Sequence, residues 1–177
     1  MSRRKLKWMI IFILCAAVLI SGFIYYRYIT RPGSIEEQIC DELDIKEEEI
    51  QEEIRFFDAQ DFGGYRIVGF EYGGDQYGVA KINMSQSPEV EEAVTTEEML
   101  PRADFAWNYR FAAGGTQIIT FLCVNEKISS ILWSDDEGEE TFAVDHHPAV
   151  ICVAYEIQDG SYSAEYFLLD ENGEELR

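Results

Sequence analysis

Two adjacent histidines, His146 and His147, are the residues best suited by type to proton transfer or metal binding in this chain. Histidine changes its charge near neutral pH and is a common metal ligand. Neighbouring side chains of an extended segment point to opposite sides, so the pair is not expected to grip one metal ion. Asp145 with one histidine offers a partial metal site, and Pro148 favours the simpler interpretation of a turn at a strand end.

Two acidic segments are candidates for binding calcium, 135–140 and 170–175. Calcium takes about six to eight oxygen ligands, and neither segment has the spacing of an EF-hand loop. The second segment is more simply a turn at Asn172-Gly173. We therefore expect no cofactor, with Ca²⁺ as the alternative. The candidate metal ligands are Asp135, Glu137, Asp145 and His146.

The cysteines and histidines together raise the hypothesis of an enzyme. Cys15 lies in an apolar run, which leaves an odd number of other cysteines and at most one internal disulfide among Cys40, Cys123 and Cys152. Cys123 and Cys152 stand among apolar residues, which is typical of thiols buried on strands. A nucleophile paired with His146 or His147 is the alternative hypothesis, using a cysteine or a carboxylate. No serine-nucleophile or phosphate-loop motif is present, so the sequence favours a protein that is not an enzyme.

An uncharged run of residues, 8–26, follows four cationic side chains near the N-terminus. As a helix it would be about 28 Å long, close to the thickness of a bilayer core. It is longer than the core of a cleaved secretory signal, and the cations before it predict a cytoplasmic N-terminus. The sequence thus predicts a cytoplasmic tail at 1–7, a transmembrane signal-anchor helix at 8–26, a linker at 27–33 and an extracytoplasmic domain at 34–177.

Acidic residues dominate everything after that run. Residues 27–177 contain 34 acidic against 10 basic side chains, a formal charge of −24. Such a field repels phosphate backbones, so nucleic acid is excluded as a partner. The expected partners are the lipid bilayer through residues 8–26 and another membrane or envelope protein.

The elements expected to position these residues begin with a helix. Ser34 and Glu37 form a capping-box pattern, and apolar residues then follow a helical stripe as far as Phe57, in one bent helix or two short ones. Tyr65–Tyr72 and Tyr77–Met84 predict a hairpin in which Tyr72 faces Tyr77. Gly69 and Gly78 within it suggest that something packs closely over it.

The remaining sequence predicts a long surface excursion and more strands. Residues 85–108 are acidic and end in aromatic residues beside a cation. Trp107, Tyr109 and Arg110 are therefore a candidate interaction surface, although burial in the core is the more usual role of such aromatic residues. Thr116–Val124 is apolar on both faces and should be a central strand. Asp159-Gly160 predicts a final hairpin that joins apolar strands on either side.

These elements predict an α+β domain, with one or two amphipathic helices on a mainly antiparallel sheet of about five or six strands. The favoured function is a membrane-tethered, non-enzymatic interaction domain, such as an accessory subunit of an envelope complex. The alternatives are the histidine-dependent envelope enzyme and an extracytoplasmic sensor that relays signals through its anchor.

Overall fold

The described residues fold mainly as antiparallel strands. The structure is a computed structural model that describes residues 33–45, 54–85, 87–103, 106–113, 115–156 and 164–176. Within these ranges lie the elements α1 Ile35–Glu42, β1 Arg55–Phe62, β2 Tyr65–Tyr72, β3 Gln76–Asn83, β4 Glu89–Thr95, β5 Leu100–Ala103, β6 Ala106–Ala113, β7 Thr116–Cys123, β8 Ser130–Asp135, β9 Gly138–Ala143, β10 Ala149–Glu156 and β11 Ala164–Leu169.

Three antiparallel sheets form successive layers. Sheet A has the strand order β1-β2-β3-β4, sheet B the order β10-β7-β6-β5 and sheet C the order β11-β8-β9. Side chains alternate across a strand, so neighbouring residues of β7 face different layers. Ile118 packs with residues of sheet A such as Ile67, whereas Ile119 packs with residues of sheet C such as Ile131. Sheet B is therefore the middle layer, buried on both faces.

The helix α1 covers the far face of sheet A. Its start was predicted correctly, because Ser34 accepts a hydrogen bond from the Glu37 amide while the Glu37 side chain accepts one from the Ser34 amide. Ile39 and Cys40 are buried against that face. The helix ends after eight residues, and Asp44 then adopts a left-handed backbone with φ of 52°.

The predicted α+β fold class is wrong. One short helix and eleven strands in three sheets make the described part of the chain mostly β, instead of helices on a single sheet of five or six strands. The predicted helical stripe continues to Phe57, yet Phe57 lies in β1. The expected surface excursion instead contributes two edge strands, β4 in sheet A and β5 in sheet B.

The predicted final hairpin is also wrong. β10 pairs with β7 in sheet B, whereas β11 pairs with β8 in sheet C. The apolar residues on the second face of β10, Val150 and Cys152, pack towards sheet A. The predicted turn at Asp159-Gly160 falls in residues 157–163, which lie outside the described residues.

The hairpin of β2 and β3 forms as predicted but its register is shifted by one residue. Tyr72 pairs with Gln76 instead of Tyr77, and Ile67 pairs with Lys81. The prediction that something packs closely over its glycines is confirmed: a Cβ atom on Gly78 would lie 2.5 Å from the carbonyl oxygen of Val94. Such contacts explain why these positions carry no side chain.

The predicted single-pass membrane localisation is contradicted as well. No helix in the ranges that the structure describes is long and apolar enough to cross a bilayer. The segment behind that prediction, residues 8–26, lies outside the described ranges, as do the tail 1–7 and most of the linker 27–33. Described residues beyond Gly33 belong to one unit, Ser34–Arg177.

Candidate binding cleft

A concave site opens between the end of sheet B and the β8–β9 hairpin of sheet C. It encloses about 670 Å³. We call it the acidic cleft, and its lining residues are Thr116, Trp133, Asp135, Glu137, Gly138, Glu139, Glu140, Val153, Ala154 and Tyr155. The cleft therefore combines four carboxylates with two large aromatic residues.

The tight turn between β8 and β9 positions the carboxylates. Asp135 accepts hydrogen bonds from the amides of Glu137 and Gly138, at 2.8 Å and 3.2 Å, through its Oδ1 atom. Its other oxygen accepts a hydrogen bond from the Trp133 indole N–H at 3.0 Å. Asp135 thus holds the turn and the indole in place, while Glu137, Glu139 and Glu140 are exposed.

Aromatic rings form the floor of the acidic cleft. Trp133 of β8 and Tyr155 of β10 have ring centroids 6.1 Å apart, at an interplanar angle of 36°. Both residues are largely buried in the core between sheets B and C. The guanidinium of Arg110 lies 5.9 Å from the centroid of the Tyr155 ring, within the range of a cation–π contact. The floor therefore already accommodates a cation at one side.

The electrostatic balance of the acidic cleft is negative. None of the ion pairs found among the described residues involves Glu137, Glu139 or Glu140. Three exposed carboxylates close to low-dielectric aromatic walls concentrate a field that attracts cations.

The predicted interaction surface of Trp107, Tyr109 and Arg110 is divided by the pleat of β6. Trp107 and Tyr109 pack with the core between sheets A and B, and the Tyr109 hydroxyl donates to Glu92 Oε1 at 2.8 Å. Burial, with help from Glu92, raises the pKa of Tyr109 to about 12. Arg110 points to the other face, where it contacts the floor of the acidic cleft. Only Arg110 of the three lies beside the cleft.

The two histidines contact different partners. His146 Nε2 lies 3.0 Å from Asp58 Oδ1, and its Nδ1 lies 3.0 Å from the carbonyl oxygen of Pro148. His147 Nε2 lies 3.0 Å from the carbonyl oxygen of Ile128. Both ring nitrogens of His146 therefore face acceptors, and the hydrogen bonds of the described residues join neither histidine to a thiol.

The three cysteines of the described ranges, Cys40, Cys123 and Cys152, are buried. Cys123 and Cys152 are free thiols, and the prediction that these two are buried on strands is confirmed. Burial raises the pKa of both thiols to about 12. A thiol held in its protonated form is a poor nucleophile.

The predicted metal ligands are not assembled into one site. Asp135 and Glu137 belong to the β8–β9 turn, whereas Asp145 and His146 lie in the connection between β9 and β10. Within the described ranges, no group of three or more histidine, cysteine or acidic side chains is arranged to hold a metal ion. The predicted turn at Asn172-Gly173 is confirmed, with Gly173 at φ of 78°.

A second acidic groove, of about 570 Å³, runs between the end of α1 and β4. Leu43, Tyr72, Glu92, Glu98 and Tyr109 are among its lining residues. Its carboxylates are partly engaged, because Glu92 accepts the Tyr109 hydroxyl and also lies 3.7 Å from the Lys81 ammonium group. This engagement makes it the weaker candidate for a cationic ligand.

Two residues that line the acidic cleft, Asp135 and Glu137, are among the metal ligands predicted from the sequence. Asp135 and Glu137 were recognised as candidates because their segment is locally acidic. Trp133 and Tyr155 were missed, since both resemble ordinary core residues of strands and only the stacking of sheets B and C brings them together.

Comparison of the chain with protein-family models, with curated proteins and with solved structures found no match. Any functional conclusion for this fold therefore depends on the chemistry of its own residues.

Proposed function

We propose that this protein is a non-enzymatic binding domain whose acidic cleft holds cationic side chains of a partner protein. The observation that carries the proposal is that three exposed acidic residues, Glu137, Glu139 and Glu140, line one cleft together with Trp133 and Tyr155.

Charge selects the class of partner. The whole chain has a formal net charge of −20, so the acidic cleft sits in a negative field that speeds the approach of cations. Lysine and arginine side chains are the cations that a protein partner presents. Nucleic acids and acidic proteins are disfavoured for the same reason.

The aromatic floor supports side chains as ligands in preference to small hydrated ions. The floor offers apolar surface, since Trp133 and Tyr155 line the cleft although each is largely buried, and Arg110 already lies over the Tyr155 ring. The aliphatic stem of lysine or arginine gains from packing on apolar surface. A hydrated divalent ion would not use that surface.

The alternative hypotheses have less support. An enzyme that uses His146 or His147 would need a cysteine or a carboxylate beside one of them in a cleft. The carboxylate beside His146 is Asp58, which also accepts the Val150 amide and does not line the acidic cleft, and His147 contacts the carbonyl oxygen of Ile128. The sensor hypothesis required the membrane anchor that the localisation finding contradicts.

A charge-deletion experiment tests the proposal. The full chain is titrated with a fluorescent, end-blocked tetra-lysine peptide, and the same titration is made with E139Q/E140Q. Exposed ion pairs contribute about 0.2–1 kcal/mol each, so the double substitution should weaken binding about 2- to 30-fold. Higher salt should weaken binding by the unaltered chain more than binding by the variant.

A matched control removes the same charge elsewhere. E171Q/E174Q changes two exposed acids in the turn after β11, outside the acidic cleft. Equal weakening by both double variants would show that tetra-lysine responds only to net charge, and would contradict the proposal. Retained affinity in the control and loss in E139Q/E140Q would support it.

A further inference from the structure

The outer side of β9 is an open strand edge beside the acidic cleft. β9 is the last strand of sheet C, and no strand among the described residues pairs with its outer side. All but one of its residues are exposed, and Phe142 is the exception. An open edge presents backbone N–H and C=O groups that are ready to pair with another chain.

The register identifies the backbone groups on that edge. The amide of Val144 donates to the carbonyl oxygen of Ser129 at 2.9 Å, so these two residues form a hydrogen-bonded pair. Hydrogen-bonded and non-hydrogen-bonded pairs alternate along an antiparallel ladder. The backbone groups of Glu139, Thr141 and Ala143 must then point outward.

The edge strands β10, β4, β11 and β5 are protected by the protein's own groups or by their short length. Side chains of Asp58 and Gln60 accept amide hydrogen bonds from β10, and Gln38 accepts one from β4. The amide of Leu176 donates to β11. The edge strand β5 is only four residues long and contains Pro101. No comparable protection of β9 is found among the described residues.

We propose that β9 receives an extended peptide of the partner as an added antiparallel strand, with lysine or arginine at every second residue. This inference rests on the proposed function, since the acidic cleft supplies the charge complementarity. It adds that the partner is an extended basic segment recognised partly through its backbone.

The pleat explains the expected spacing. Glu140 lies opposite Trp133, and the two side chains share the face of sheet C that borders the acidic cleft. Residues of an added strand that lie opposite Glu140 would point to the same face. Side chains at alternate positions of the peptide therefore enter the cleft, and those between them point away.

The acids on β9 disfavour a second copy of this chain as the added strand. Two copies of β9 paired along their open edges would place the Glu139 and Glu140 of both copies on adjacent strands. Like charges on adjacent strands destabilise the pairing. A cationic segment has the opposite effect.

The test uses the full chain and three forms of a hexapeptide, Ac-Lys-Thr-Lys-Thr-Lys-Thr-NH₂. In an added antiparallel strand whose lysine side chains face the acidic cleft, the threonine amides point towards β9 and the lysine amides point away. N-methylation of the threonine amides removes those donors and blocks close approach of the strands. We expect it to weaken binding more than about 10-fold, and N-methylation of the lysine amides to change affinity less than about 2-fold.

The outcomes separate the inference from the proposed function. If both methylated peptides bind as the parent does, and E139Q/E140Q still weakens binding, the cleft binds cations without strand addition and the inference is overturned. If no peptide distinguishes E139Q/E140Q from E171Q/E174Q, the proposed function fails as well. A dimer in sedimentation, with β9 amides protected from hydrogen exchange before any peptide is added, would identify a second copy as the occupant and also overturn the inference.

Discussion

Cys123 on β7 and Cys152 on β10 point to opposite faces of sheet B. Cys123 packs with the core shared by sheets B and C, and Cys152 with the core shared by sheets A and B. The Cys152 sulfur lies 3.6 Å from the Thr120 hydroxyl, inside the sheet. Loss of solvation is the main cause that raises the pKa of both thiols to about 12, from an ordinary value of 9.0.

The raised pKa of these two thiols predicts that the protein loses stability in alkali. The unfolded chain releases their protons near pH 9, whereas the folded chain keeps them to about pH 12, so ionisation above pH 9 favours the unfolded state. The free energy of unfolding should fall by about 1 kcal/mol per thiol for each pH unit above 9. Urea unfolding at pH 8, 9, 10 and 11 measures the slope.

The C123A/C152A variant is the control for the alkaline slope. It should be less stable than the unaltered chain at pH 8, because two buried sulfur atoms are lost. Its stability should decline less steeply above pH 9, although the raised pKa of Tyr109 adds a decline above pH 10 in both proteins. An unchanged slope in the variant would show that other groups cause the alkaline loss.

Residue types in the sequence predicted part of the candidate site. Asp135 and Glu137 were recognisable because local acidity needs no knowledge of the fold. Trp107, Tyr109 and Arg110 were grouped by composition, but the pleat of β6 sends Arg110 to the face opposite the two aromatic residues. Side-chain direction depends on the strand assignment, which the sequence alone did not provide there.

At the scale of elements, the junction of sheets A and B depends on side chains that close the edge of β10. Asp58 Oδ2 accepts the amide of Val150 at 2.7 Å, and Gln60 Oε1 accepts the amide of Cys152 at 3.1 Å. Asp58 stands at an irregularity of β1, with a left-handed backbone at φ of 48°. Asparagine and aspartate tolerate this conformation better than most residues.

Substitution of Asp58 should therefore lower the free energy of unfolding, by an amount that depends on the side chain that replaces the carboxylate. D58A leaves the Val150 amide without its acceptor and should destabilise the protein by about 2–3 kcal/mol. D58N keeps an acceptor oxygen and a residue suited to positive φ, so about 1 kcal/mol is expected. Urea unfolding at neutral pH measures both variants.

D61A is the matched control for the Asp58 variants. Asp61 is an exposed residue of the same strand as Asp58 and pairs with Arg66 of β2 at 2.7 Å. An ion pair this exposed is expected to contribute little to stability. If D58A destabilised the protein no more than D61A does, the hydrogen bond from the Val150 amide to Asp58 would make no measurable contribution to stability.

Local signals in the sequence predicted several elements correctly. The predictions failed for the partners with which strands pair and for the register of that pairing. The capping box at Ser34 and the two apolar faces of β7 depend on residues close in sequence, and both were identified correctly. The predicted register of β2 and β3 was wrong because Lys81 lies on a buried face, where a charged residue was not expected. Its ammonium group donates to the carbonyl oxygen of Ala112 at 2.9 Å and lies 3.3 Å from Glu91, which offsets the cost of burial.

At the scale of the whole molecule, stacking of three sheets decided which strands pair. β10 is apolar on both faces because sheets A and C cover it, and the same pattern suits a hairpin under a helix equally well. The Asp159-Gly160 signal favours a turn but carries no information about distant strands. Burial on two faces can therefore indicate a middle strand without identifying its neighbours.

The stacked layers also explain where binding is proposed. Sheet B is covered on both faces, and α1 covers the far face of sheet A. By contrast, β9 at the end of sheet C is an exposed strand with an open edge. The acidic cleft lies on the same hairpin. Charge and an open backbone edge coincide at one place in the molecule.

Backbone amide hydrogen exchange of the full chain, measured by NMR with and without Ac-Lys-Thr-Lys-Thr-Lys-Thr-NH₂, tests this central claim most directly. We expect the peptide to slow exchange at Glu139, Thr141 and Ala143, whose amides point outward, and to shift the Trp133 indole resonance. Unchanged exchange at those three amides, with peptide-induced shifts at Glu92 and Glu98 of the second groove instead, would contradict it.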